Sequence, residues 1–309
     1  MTRLRAVLLL VLANVLWGSS HAIGKLAIDT FDPLYLAGLR ISMATACFWG
    51  LRLSGIAPRE SVPQRDVLTL AGLGLLTVAC AQFLDYRGLS LTTATDSSLM
   101  IIGEVIFTTI LAWLVAREHI GAQKRIGLIL GIIGVMVLTF GGAPDSSYAP
   151  NRALGNTLVL LALLCESVFT VLGARFAQTY QPLTILRWTY TGSMLVWIPV
   201  LGWAFVHHAI PNASVAAWSA VVYMAVATSV VSYLLWFWVI RSAGSSLGAM
   251  TLFVQPVVGS LIGLVLLAEP QSPGLYIGAV LIVIAMFVAT LADREPMLPA
   301  YKENDHARH

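Results

Sequence analysis

Two carboxylates stand deep inside long apolar runs of this 309-residue chain. Glu104 is flanked by Met100-Ile101-Ile102 and Val105-Ile106-Phe107, and Glu166 by Leu163-Leu164-Cys165 and Val168-Phe169. At the centre of a bilayer an ionisable group costs about 2.5–3.5 kcal/mol on insertion scales, so each acid should face a polar interior. There it could recognise an ammonium group or relay a proton. A plainer role is open to both, that of an acid bonded to a neighbouring helix to fix packing.

Other polar and aromatic side chains recur around them at helical spacing. Asn14, Trp17 and His21 follow i, i+3, i+7 and share one face. Ser97, Met100, Glu104 and Thr108 form a second stripe, and Gln82 with Tyr86 a third. Together they describe a cavity with few charges, some amides and hydroxyls, and aromatic or Met walls. Asn14 would offer hydrogen bonds and Trp17 an apolar or cation–π surface, with His21 nearer one mouth. Interior packing for Trp17 and interfacial anchoring for His21 are equally open. Such a lining suits a small amphipathic or zwitterionic solute better than a polyanion, which calls for several intramembrane Lys or Arg. Only Arg40 and Arg187 qualify, either to hold a carboxylate or to snorkel to an interface.

Motifs for catalysis are missing. Gly18 to Lys25 has the look of a phosphate loop, but its spacing is one residue too long and no Ser or Thr follows the lysine. Neither H-E-x-x-H nor G-x-S-x-G is present. His207 and His208 have no Cys, Asp or Glu nearby, so no metal site is expected. The expectation is a chain that is not an enzyme and has no catalytic residues, cofactor or metal.

The elements that must position these groups are helices in lipid. Hydrophobic residues make up 58% of the chain and charged residues 11%, with a mean hydropathy of +0.83. Soluble domains carry about 45–50% and about 25%, so a soluble enzyme and a disulfide-stapled secreted domain are both excluded. The net charge of +3 gives no reason to expect nucleic acid. Cys47, Cys80 and Cys165 read as small core residues. Arg3 and Arg5 before an apolar run mimic a secretory signal, but without an A-x-A-like site the run reads as a retained first helix.

A crossing helix needs about 20 mostly apolar residues. Cutting at charges and Pro/Gly clusters predicts an all-α integral membrane protein with ten spans. The first five lie near 6–24, 34–53, 67–86, 94–116 and 125–142, and the second five near 154–174, 183–206, 215–239, 246–268 and 274–292. Residues 1–142 form a first unit, 143–153 an outer connecting loop, 154–292 a second unit and 293–309 a polar, disordered tail. Thirteen of the 18 Lys and Arg fall on the side of the N-terminus, against Lys25, Arg87 and Arg152 on the other. Both termini are therefore expected in the cytoplasm.

The chain also repeats itself. A shift of 151 lays Gln82–Glu118 over Tyr233–Glu269, pairing Gln82 with Tyr233, Tyr86 with Phe237 and Glu104 with Gln255. Because each half holds five spans, the second enters the membrane from the opposite side, giving an inverted-topology repeat. Gly127/Gly131, Gly259/Gly263 and Gly274/Gly278 are small-xxx-small pairs, suited to packing within one chain or to a homodimer. Trp49, Trp113, Trp203 and Trp218 read as interfacial anchors.

At these residues the chain resembles the EamA-type branch of the drug/metabolite transporter superfamily. The features that carry it are Leu16-Trp17-Gly18, Pro256, and Glu118 and Glu269 ending the fourth and ninth spans, each followed by an Ile-Gly entry to the next helix. The resemblance implies ten helices, cytoplasmic termini, and a central cavity lined by spans 1–4 and 6–9 with spans 5 and 10 outside it. It also implies gating or structural roles for Glu118 and Glu269, for which a plainer reading as solvated or cap-pairing acids is open. Pro256 removes a backbone bond and would help the halves rock. The expected function is secondary export of small metabolites across the inner membrane, above all amino acids including aromatic ones, by alternating access. Efflux of cationic or amphipathic drugs is the alternative. The family often has proline in both spans 4 and 9, whereas here Gln255-Pro256 faces Glu104-Val105. A kink is expected in span 9 alone.

Overall fold

The computed structural model describes residues 2–28, 30–55, 60–116, 121–140, 149–207, 213–243, 251–252, 254–269 and 273–291. Its helices are α1 (Arg3–Ile28), α2 (Pro33–Leu53), α3 (Gln64–Gly74), α4 (Cys80–Leu91), α5 (Ala94–Leu99), α6 (Ile102–Ala116) and α7 (Ala122–Phe140). They continue as α8 (Arg152–Ala177), α9 (Pro182–His207), α10 (Val215–Tyr223), α11 (Ser232–Ala243), α12 (Val254–Leu266) and α13 (Pro273–Leu291). A π-helical turn, Leu75–Ala79, joins α3 to α4, and another, Met224–Val231, joins α10 to α11. No β-strand occurs among the described residues.

Helix starts follow the local sequence. Asp32 caps α2 through Leu34 N at 2.9 Å with Pro33 in the first turn. Thr93 caps α5, Asn151 caps α8 and Ser214 caps α10, each taking up one amide left without a partner inside its helix. Among the described residues, seven helical stretches are long and apolar enough to cross a membrane by length and composition. Three shorter apolar helices, Arg125–Leu138, Val254–Leu266 and Pro273–Ala285, fall where further spans are predicted. The outer faces are apolar, with Leu195 69% and Val265 68% exposed, as lipid requires. None of the three cysteines is fully buried, contrary to expectation. Cys80 is exposed, and a thiol is apolar enough to face lipid.

α4 packs on α8, α2 and α3 on α9, α1 on α11 and α12, α5 on α12, and α7 on α13. Gly74 and Gly192 bring α3 and α9 into backbone contact, since a Cβ on either would collide with the main chain of Thr189 or Ala71. Trp197, Phe48 and Leu36 fill the largest core cluster.

Two irregularities recur at the 151-residue shift. In the π turns Thr77 donates to Leu73 O at 2.8 Å and Thr228, its equivalent, to Met224 O at 2.6 Å. The fourth and ninth spans are both interrupted, with Glu104 N bonding Ile101 O at 3.0 Å and Gln255 N bonding Leu252 O at 3.1 Å. The expectation of a kink in span 9 alone is thus corrected. α5 and α6 separate at Met100–Ile101 without a proline, through i→i−3 bonds such as Gly103 N to Met100 O at 2.7 Å. Pro256 lies in the first turn of α12, where its missing N–H would have had no helical partner.

Candidate functional site

Spans from both halves meet around one small pocket. Thr77 and Val78 come from the first π turn, Gln82 from α4, Glu166 and Phe169 from α8, Tyr190 from α9 and Tyr233 from α11. The π turn adds a residue to the helix and rotates the next turns about the axis, so Thr77 and Gln82 reach the same space; such turns recur at functional sites. Glu166 Oε2 accepts from the Tyr233 hydroxyl at 2.9 Å. Gln82 is 7% exposed, and its Oε1 has no partner among the described residues. The pocket leaves room for the centre of roughly one water molecule, about 10 Å³. A solute larger than that requires these side chains to part.

An aromatic wall stands behind the acid. Tyr233 meets Trp17 edge-on at 5.0 Å between centroids, Phe169 at 6.4 Å and Tyr190 at 6.5 Å. Trp17 is fixed by its Nε1–H bond to Thr228 O at 2.9 Å, across the halves and onto the second π turn. Glu104 occupies the first turn of α6, where its acid meets the positive end of the helix. Thr170, one turn from Glu166 on α8, donates to Glu104 Oε1 at 3.5 Å.

Arg40 is buried on α2, not extended to an interface. Its Nε donates to Ser229 Oγ at 2.9 Å, Nη1 to the Tyr86 hydroxyl at 3.2 Å and Nη2 to Thr228 Oγ1 at 3.0 Å. Tyr86 in turn donates to Met224 Sδ at 3.1 Å. Arg187 lies over the rings of Trp49 and Trp188 at 4.8 and 5.1 Å.

The remaining residues singled out in the sequence lie away from this pocket. Asn14 bonds Leu10 O and Thr251 Oγ1 and accepts from Gln255 Nε2 at 2.7 Å, joining α1 to the ninth span. His21 Nε2 pairs with Asp85 Oδ1 at 3.5 Å. Ser97 and Met100 are fully buried at the α5–α6 junction, Met100 in an apolar cluster. Glu269 is 3% exposed and takes hydrogens from Ala94 N, Thr95 N and Thr95 Oγ1 at 2.6, 2.8 and 2.5 Å. It thereby caps α5 from the far end of span 9. Glu118 and His208 lie outside the described residues, as does the tail after Leu291.

Sequence reasoning missed Thr77, Val78, Phe169 and Tyr190: three are ordinary apolar or aromatic residues of a span, and the Thr77 hydroxyl can bond its own helix, as it does to Leu73 O. It also missed Asp85, which stands at a span end in the sequence, and a buried ion pair between Arg152 and Asp96. Arg152 Nη2 donates to Asp96 Oδ1 at 2.6 Å and Nε to Oδ2. Asn156 and Thr92 complete the cluster, and Lys25 Nζ reaches Leu89 O and Thr92 O. The T-x-x-D run Thr93–Asp96 marks a helix start, where Asp96 N bonds Thr93 Oγ1 at 3.0 Å, and gives no sign of the pair.

The sequence profile of the EamA-like transporter family matches residues 4–140 and 153–291. The chain is 24% identical to the uncharacterized transporter YetK of Bacillus subtilis, over 95% of this chain and 89% of that protein. It is 26% identical to the S-adenosylmethionine/S-adenosylhomocysteine transporter of Chlamydia muridarum, over 87% and 86%. A solved structure described only as a crystal structure of a protein matches with a TM-score of 0.67 and 20% identity, covering 94% of this chain and all of that one.

Proposed function

Because this chain belongs to the EamA-like transporter family, we propose that it carries amino acids and similar ammonium-bearing metabolites out of the cell by alternating access. It is a multi-pass protein of the inner membrane. In this reading ten spans form two inverted repeats with cytoplasmic termini, and the solute binds where the halves meet. The observation that carries it is the pocket itself. Glu166 and the unpartnered Gln82 Oε1 are two acceptors side by side, walled by Tyr190, Tyr233 and Phe169. Acceptors call for an N–H donor, and aromatic faces stabilise a cation. Both solutes named for the chlamydial relative end in an α-amino acid, which agrees with that demand.

Opening would use the interruptions already present. Spans 4 and 9 are each broken within their length, and the π turns recur at matching positions. The halves can then rock as bodies about these points, as in other inverted-repeat carriers. Purified protein in liposomes is expected to exchange radiolabelled amino acids above empty liposomes; no exchange across a broad panel would refute the reading. Efflux of amphipathic cations is the second reading, favoured by the Trp17–Tyr233–Trp236 aromatic cluster beside Glu166. Glu104→Gln separates the two if it abolishes resistance to cationic drugs and spares amino-acid exchange.

A further inference from the structure

We infer that Arg40 and the Glu166–Gln82 pocket form a two-ended site for a zwitterion, the guanidinium taking the carboxylate and the pocket the ammonium. This rests on the proposed function and narrows it to solutes that carry both charges.

Arg40 is 7% exposed; its described hydrogen-bond acceptors are neutral oxygens on Ser229, Tyr86 and Thr228, and its guanidinium also lies over the Tyr86 ring at 5.9 Å. A guanidinium cannot shed its proton, so a buried one gains from an anion placed beside it. Nη1 and Nη2 carry two hydrogens each and make one bond each here, to Tyr86 and Thr228. One hydrogen on each nitrogen makes no described bond, so the two nitrogens can offer a carboxylate a fork of donors. Burial beside hydroxyls holds that fork in place and keeps water from competing for it.

Position links the fork to the pocket. Tyr86, which Arg40 bonds, is one helical turn from Gln82 on the same face of α4. Ser229 and Thr228, its other partners, lie on the π turn that leads into Tyr233. α4 thus holds Arg40 and also carries part of the pocket, and the second π turn runs directly into α11, which carries Tyr233. At the pocket end the chemistry reverses. Gln82 is more than nine-tenths buried, and its Oε1 stands without a donor beside the Glu166 carboxylate. A solute with a donor cation and an acceptor anion satisfies both ends. A plain organic cation leaves Arg40 unmet and adds a second positive charge next to it, which selects against such a solute.

Wild type and Arg40→Gln are to be assayed in liposomes with amino acids and their decarboxylated amines as competitors, beginning with phenylalanine and phenethylamine. Wild type is expected to favour the amino acid at least tenfold. In Arg40→Gln that ratio falls toward one, and Arg40→Lys, which keeps the charge, restores part of it. If wild type does not distinguish the two, or if Arg40→Gln weakens both by the same factor, the inference is overturned and the carrier reading stands. If wild type exchanges no amino acid, both fall. Should Arg40→Gln fail to fold, the wild-type competition and Arg40→Lys decide alone.

Discussion

Tyr233 and Glu166, 67 residues apart, share a hydrogen bond of 2.9 Å that sets a phenol donor against the acid lining the pocket. Charge-assisted bonds of this kind contribute about 1.5–3 kcal/mol. Tyr233→Phe is therefore expected to weaken solute affinity by on the order of 10–100-fold, because the acid loses the group that orients it. Competition exchange in liposomes reads this directly. An unchanged affinity would show that the bond serves packing alone.

The Asp96–Arg152 pair, reinforced by Asn156, is buried at 0% and 4% exposure of its two side chains. Breaking such a pair from one side costs about 3–5 kcal/mol, whereas replacing both partners with apolar residues can be close to neutral. Asp96→Ala should lower the thermal unfolding midpoint in detergent sharply. Asp96→Leu combined with Arg152→Met should recover most of the loss. Equal losses in both variants would contradict the ion-pair account.

Glu269 accepts hydrogens from the Ala94 and Thr95 amides at the start of α5. Glu269→Ala removes both acceptors, so hydrogen exchange at these two amides should rise at least tenfold, the equivalent of about 1.4 kcal/mol. Amides in the middle of α8 serve as the unaffected control. Protection unchanged at Ala94 and Thr95 would mean that the cap does not hold the helix.

Tyr180, between α8 and α9, donates to Asp66 Oδ2 at 2.5 Å, and this bond, first among the causes, holds the phenol above its ordinary range. A raised value means that the contact contributes fully below pH 10 and is lost only as pH climbs through the folded-state value. Tyr180→Phe should therefore lower the unfolding midpoint by the same amount at pH 7 and pH 9. A penalty that fades between those two values would contradict this assignment.

Much of this arrangement is legible in the residues, and the remainder is hidden for physical reasons. Glu104 and Glu166 stand out because lipid penalises acids, and the first helix stripe is visible at its 3.6-residue period. The stripe does not act as one wall, however. Asn14 turns to Thr251 and Gln255, Trp17 to Thr228 O and Tyr233, and His21 to Asp85. Helical period specifies a face but not which neighbour each residue on it meets. The 151-residue repeat carries over to matched π turns and matched interruptions, although proline marks only one of them, at Pro256. In the first half the interruption rests on backbone bonding around Gly103, which no residue type announces. The Asp96–Arg152 pair is hidden because 56 residues separate its members and Arg152 reads as part of the outer loop.

The most direct test of the central claim is counterflow of a radiolabelled amino acid into liposomes, with wild type and Glu166→Gln compared at equal, folded protein. The account predicts accumulation with wild type and loss of at least 90% of it with Glu166→Gln, roughly the effect of removing one charge-assisted bond. Equal accumulation by the two proteins would contradict it.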